Sequence, residues 1–272
     1  MIRLTNFINS TNFNKISLRY VGKSPKAHLE VTPMLDEIII GSMLGQNRFY
    51  SKSINNVSEK RKRLTNLERA EFNVSENHKE ILIGLLLGDL CAQKRTIKGN
   101  TNLHFEQGFL HKEYIFHLYD LFKNYCSSEP KISDRLPDKR TGKVYTRIQF
   151  ITYSLPCFNY YHELFYVNGI KRIPSNISDL LTPYGLAYWI CDDGSFLKDS
   201  NRVVLATNSY TLEEVNLLLG VLKDKFNLSC TISKDNHKKG GHLIYITSRS
   251  LSSLQELLKP IMPNMMAYKI GL

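Results

Sequence analysis

With 272 residues, 42% of them hydrophobic, the chain has the apolar material for one large core or two small ones and is set apart from disordered chains. A formal net charge of +11 and a pI near 9.3 point towards a polyanionic partner. Five cysteines, odd in number and without any Cys-x-x-Cys, argue against a disulfide framework or a zinc site and fit a reducing compartment, and no apolar run reaches the roughly 18 to 20 residues that span a bilayer.

In chain order, residues 1–29 carry Arg3, Lys15 and Arg19 among many Asn and Ser, with no acid before Glu30. That composition is compatible with a mitochondrial targeting segment and equally with an Asn-rich coding bias. Residues 51–80 are polar and charged, and Lys60-Arg-Lys-Arg63 reads as a solvated linker or a nucleic-acid arm. We expect residues 1–75 to form an amino-terminal extension, partly disordered, followed by two similar halves at 76–175 and 176–272.

The halves show themselves as a repeat with a period of about one hundred residues. In the first, an apolar helix is followed by a strand near 102–106, a helix over 112–125, a strand over 143–153 and a closing helix over 156–166. In the second, an apolar helix precedes a strand over 202–208, a helix over 212–226, strands near 230–233 and 243–247, and a closing helix over 251–258. The pattern predicts an α+β fold of two αββαββα halves about a pseudo-twofold axis.

Each half opens with the same kind of helix. Leu82-Ile-Gly-Leu-Leu-Leu-Gly-Asp-Leu90 and Leu186-Ala-Tyr-Trp-Ile-Cys-Asp-Asp-Gly194 both place an acid at i+7 of an apolar stripe, at Asp89 and Asp193. A lone carboxylate there is costly, and two brought together repel unless a cation lies between them. Gly84, Gly88 and Ala187 are small enough for close helix approach. Because neighbouring helical residues diverge by about 100°, the register selects Asp193 for the partner helix, and Asp192 is expected to face solvent or a basic neighbour.

These two stretches resemble the signature helices of the LAGLIDADG homing endonucleases, in the single-chain, two-motif form of the mitochondrial omega-intron type. The run Leu181-Thr-Pro-Tyr-Gly-Leu-Ala-Tyr-Trp-Ile-Cys-Asp-Asp-Gly194 carries most of the likeness, whereas Leu90 replaces the final glycine of the first motif. A third run at 38–46 imitates the motif but ends in Gln46, a poor ligand for a hard cation.

The resemblance implies saddle-shaped antiparallel sheets around a central pair of motif helices. It also implies a monomeric, site-specific double-strand DNA endonuclease with no membrane association, in which Asp89 and Asp193 are the metal ligands and catalytic acids. Mg2+ is the implied cofactor, with Mn2+ as a substitute, and the implied setting is the mitochondrion. Lys171 and Lys269 stand late in each half, where the family has basic residues near the metals, so the resemblance implies a catalytic role for both in neutralising charge or ordering the water network. The same family includes maturases that bind their own group I intron RNA, which is the alternative function.

A sheet of that kind presents alternate strand residues to the major groove. With Val144, Ile148 and Phe150 on the core face, Tyr145, Arg147 and Gln149 point outward, where Arg reads guanine and Gln reads adenine. Loop residues Lys94, Arg95, Lys139, Arg140, Lys238 and Lys239 are candidate phosphate contacts, with Gly142, Gly240 and Gly241 at hairpin turns.

Overall fold

The structure is a computed structural model and describes residues 63–235 and 240–272. The expectations for residues 1–62, for Gln46 and for Lys238 and Lys239 lie outside the described residues.

Both halves run αββαββα. The first contains α2 (Glu76–Leu87), β1 (Cys91–Lys94), β2 (Thr101–Gly108), α3 (Lys112–Phe122), β3 (Lys131–Asp134), β4 (Thr146–Ile151) and α4 (Asn159–Phe165), preceded by a short α1 (Asn66–Ala70). A hairpin of β5 (Tyr166–Val167) and β6 (Ile170–Lys171) and a short α5 (Ile177–Leu180) lead to the second half. That half contains α6 (Pro183–Asp193), β7 (Gly194–Leu197), β8 (Arg202–Leu205), α7 (Leu212–Asp224), β9 (Cys230–Lys234), β10 (His242–Ile246) and α8 (Leu251–Leu258), then a 3-10 helix at Asn264–Ile270. The four-stranded sheets share one antiparallel order, β1-β2-β4-β3 and β7-β8-β10-β9.

Local chemistry explains the element ends. The Ser75 hydroxyl accepts the His78 N–H at the start of α2. Thr182 does the same for the Gly185 N–H on α6, with Pro183 in the first turn, where a missing N–H costs nothing. α7 opens with a capping box between Thr211 and Glu214. Asn168 and Gly169, both at positive φ, make the two-residue turn between β5 and β6 and so set where Lys171 lies.

The motif helices pack directly against each other at glycine. A Cβ on Gly84 would come within 1.9 Å of the Gly185 carbonyl oxygen, and one on Gly185 within 3.2 Å of the Glu80 carbonyl oxygen. Gly185, ahead of the nine-residue motif, thus makes the close approach together with Gly84. Side chains around this crossing are fully buried, Leu82, Leu86, Leu186, Trp189 and Ile190 among them. Tyr188 and Trp189 are core residues, the Tyr188 hydroxyl lying 2.9 Å from His117 Nε2.

Residues 63–75 are part of this folded body. Arg69 donates to the Ser154 carbonyl at 2.7 Å, Tyr125 donates to the Asn73 carbonyl at 2.8 Å, and Leu64, Phe72 and Val74 pack on the core. The folded edge therefore lies before the 75/76 boundary drawn from composition, because a short capped helix in a polar stretch leaves little periodic signal. Among the described residues no helix is long and apolar enough to cross a membrane.

Candidate active site

Asp89 and Asp193 stand at corresponding ends of α2 and α6, just before β1 and β7 leave for their sheets. Gln107, on the inner face of β2 after Leu103 and Phe105, donates from Nε2 to Asp89 Oδ2 at 3.2 Å. Burial, then repulsion from Asp89, pushes the Asp193 carboxyl up to about 7, against the opposing pull of Lys171 and Lys269. The two acids therefore share one electrostatic site.

Asp192 does not face solvent. Its Oδ2 accepts the Asp89 backbone N–H at 3.1 Å and its Oδ1 accepts the Tyr114 hydroxyl at 3.0 Å. The reason lies on the opposite helix: Gly88 has no side chain, and a Cβ there would meet Asp192 Cβ at 2.5 Å. The 100° divergence between Asp192 and Asp193 is real, but the gap above Gly88 gives the second acid a place inside the interface. Burial, with Asp89 and Asp193 nearby, holds its carboxyl well above the usual carboxylate range. Asp192 is thus a half-buried strut between the helix ends.

The two lysines act on backbone oxygens. Lys171 Nζ donates to the carbonyls of Gly88 at 2.6 Å and Leu90 at 3.0 Å, at the end of α2. Lys269 Nζ donates to the carbonyls of Cys191 and, at 2.9 Å, Asp192, at the end of α6. Each half therefore caps its own motif helix with a buried cation, opposing the negative helix terminus on which the acid sits. Burial pulls both ammonium groups down while the neighbouring carboxylates push them back up. Tyr210 adds a brace from the second half, its hydroxyl donating to the Leu87 carbonyl at 2.8 Å.

Of these partners, Gln107 lay beyond the expected strand near 102–106, although it continues the alternation of Leu103 and Phe105 with a polar residue. Tyr114 and Tyr210 carried no such signal, because each reaches a group far away in sequence.

On the first sheet, Arg147 and Gln149 lie on the face opposite buried Ile148 and Phe150, with exposed Tyr145 just before the strand; Val144, expected on the core face, is exposed because it precedes the paired residues of β4. Arg147 is held by Glu106 Oε2 at 2.7 Å and Ser133 Oγ at 3.3 Å. Arg95, Lys139 and Arg140 are exposed loop residues, and Gly142 at φ +67° shapes the β3–β4 turn. Lys94 is placed differently from the loop reading. It lies in β1 on the inner side, paired at 3.0 Å with Glu163 of α4, because its register partner is buried Thr101. Among the described residues, no group of three or more His, Cys, Asp or Glu forms a metal cluster.

The strut has a measurable consequence. Asp192→Leu leaves the buried Tyr114 hydroxyl unpaired, costing about 1–3 kcal/mol, whereas Asp192→Asn keeps an acceptor and removes a carboxylate. Thermal unfolding is expected to show Leu well below wild type and Asn equal to it or higher. An Asn variant as unstable as Leu would mean that the charge itself holds the helix ends.

A family model described as the LAGLIDADG DNA endonuclease family matches residues 79–254. The chain is 37% identical over 198 residues to the cytochrome b mRNA maturase bI2 of Debaryomyces hansenii, a match covering 71% of this chain and 72% of that protein. It is 37% identical over 160 residues to the intron-encoded endonuclease ai4 of Dictyostelium discoideum, over 57% of this chain and 99% of that one. Among solved structures it is similar to the homing endonuclease I-WcaI bound to its DNA recognition sequence, with a TM-score of 0.70 and 26% identity over 80% of this chain and 96% of that chain.

Proposed function

This chain belongs to the LAGLIDADG DNA endonuclease family, and from that premise we propose that it is a monomeric, site-specific, intron-encoded endonuclease that cuts both strands of a DNA duplex. The observation that carries the reading is the pair Asp89 and Asp193, one from each half, set at the ends of two packed helices with their charges unneutralised by a direct ion pair among the described residues. Such a pair fits a divalent cation, and Mg2+, which binds through one or two carboxylates and completes its shell with water and phosphate oxygens, suits two acids without a larger cluster. When bound, the ion supplies an activated water and a polarised phosphoryl oxygen.

The chain's own residues do the rest. Asp89 and Asp193, one from each half, would hold the cation, so that each half could serve one strand of a duplex that has its own twofold axis. Lys171, Lys269 and Asp192 keep the carboxylate-bearing helix ends in place. Attack by water on phosphorus and departure of the bridging oxygen then occur once in each strand.

The runner-up is an RNA-binding maturase, favoured by the name of the Debaryomyces hansenii relative. A mitochondrial setting belongs to both readings, supported by the cytochrome b mRNA in that name. The deciding experiment titrates the protein against duplex DNA and folded group I intron RNA, with and without Mg2+ or Mn2+. Metal-dependent double-strand cutting supports the endonuclease; preference for RNA with no cutting supports the maturase.

Binding to DNA is expected to weaken steeply as salt rises, since neutralised phosphates release counterions. Arg147→Ala should cost about 1–3 kcal/mol of discrimination at one base pair, while Arg140→Ala weakens all sequences alike. Equal losses on selected and random DNA for Arg147→Ala would remove it from base readout.

A further inference from the structure

The two sheets share a topology but not a surface. Both sheets start directly after an acid-bearing helix end. On the first sheet, buried Leu103, Phe105, Ile148 and Phe150 leave His104, Glu106, Arg147 and Gln149 on the opposite face. These are tied by hydrogen bonds: Glu106 accepts from Arg147 and pairs with Arg135, and His104 Nε2 lies 3.3 Å from Gln149 Oε1. Apart from exposed Ile151, the register partner of His104, that face is a lattice of donors and acceptors.

On the second sheet, buried Val203, Leu205, Ile244 and Ile246 leave half-buried Leu197, Val204, Leu243 and Tyr245 outward, flanked by Ser195, Thr231 and Ser233. Register places Tyr245 beside Val204 across the β8–β10 pair. The outward arginine, Arg202, lies over the Tyr245 ring at 5.1 Å and donates from Nε to Ser200 Oγ at 3.0 Å. The solvent side of an antiparallel sheet is ordinarily polar, and an apolar stripe there marks a contact surface. The start of this sheet at Gly194, directly after Asp193, and the net charge of +11 point to the same duplex as the occupant.

We propose that the two halves read different base chemistry: the first sheet reads hydrogen-bonding purine edges, and the second sheet makes apolar contact with thymine C5-methyl groups, so that its half-site is rich in A·T pairs. This inference rests on the DNA reading above. In the major groove the methyl group is the one apolar feature a base pair offers, and side chains such as Leu and Val contact it without a hydrogen bond. The orientation of Arg147 by Glu106 suits guanine, and Gln149 suits adenine.

The test uses the full chain and a pool of random duplexes, from which bound sequences are selected and the half-sites assigned by the base position that Arg147→Ala relaxes. In the selected duplex, thymidine is then replaced by deoxyuridine, which lacks only the methyl, in one half at a time. Replacement in the half facing the second sheet should weaken binding about fourfold for each contacted methyl, and replacement in the other half should change it less than about twofold. In that other half, 7-deazaguanine, which lacks the N7 acceptor, should weaken binding instead. A G·C-rich second half-site, or equal deoxyuridine effects in the two halves, would overturn the division of labour while leaving the endonuclease reading intact. An obligate dimer in light scattering with the apolar face protected would assign that face to a second copy. Absence of binding to any duplex would overturn both readings together.

Discussion

Asp89→Asn and Asp193→Asn, each made alone, are expected to lower double-strand cleavage by several orders of magnitude while leaving DNA affinity unchanged or improved. Asparagine keeps the size and one acceptor of aspartate but removes the charge that holds a hard cation. Activation of water and polarisation of the phosphoryl oxygen are then lost together. Removing a negative charge beside the phosphates lowers repulsion, so binding does not follow activity down. Wild-type cutting of a selected site by either variant would sink the assignment.

The Asp193 variant carries a second signature, in stability. Asp193 titrates at about 7 in the fold and near the ordinary carboxylate value when unfolded, so the folded protein holds more protons between those values. Stability without divalent ions therefore falls as pH rises from about 4 towards 7 and stays low above it. Asp193→Asn removes this penalty and should unfold at higher temperature than wild type at pH 8, by roughly 2–4 kcal/mol of stability, with no difference at pH 4. Added Mg2+ should raise the wild-type melting temperature at pH 8 and leave the variant unmoved. Since the cation needs the ionised form, the wild-type protein's affinity for Mg2+ should rise with pH through about 7. A flat stability difference across this range would mean that Asp193 is not under the stress of burial beside Asp89.

Gly84→Ala is expected to be among the most damaging single-methyl changes in the chain. The added carbon would lie 1.9 Å from the Gly185 carbonyl oxygen, a backbone atom that cannot turn aside like a side chain. The helices must separate, which disturbs the Leu82, Leu186 and Trp189 packing and the Asp89–Asp192 hydrogen bond at once. Overpacking of ordinary cores costs about 1–3 kcal/mol, and a backbone clash at the central crossing should reach or exceed the top of that range. Thermal unfolding should drop by about 10 °C or more. Gly220→Ala, where a Cβ meets nothing within 4 Å, is the matched control and should be neutral or stabilising through helix propensity. Equal melting of the two variants would mean that the crossing is not a tight constraint.

Much of this architecture is written in periodicity. The stripes that end in Asp89 and Asp193 repeat every three and four residues, and the alternation around Ile148 puts Arg147 and Gln149 outward, because each pattern belongs to one element and needs no partner to be read. The short strands β1, β3 and β7 were not individually legible, since four mixed residues barely sample a two-residue period. Charge counting likewise grouped Lys94 with Arg95, and only the pairing of β1 with β2 turned Lys94 inward to Glu163.

By itself, then, the sequence determined the repeat, the alternation of helices with β2, β4, β8, β9 and β10, and the placement of an acid at the end of each motif helix. Tertiary structure alone decided the fate of Asp192, the carbonyls that Lys171 and Lys269 cap, and the crossing of Gly84 with Gly185. The physical reason is the same in each case. A helix or strand pattern settles which residues share a face, but the space opposite a side chain is set by residues remote in the chain: the missing side chain of Gly88 admits a carboxylate from another helix, and no period within Asp192's own helix records that gap.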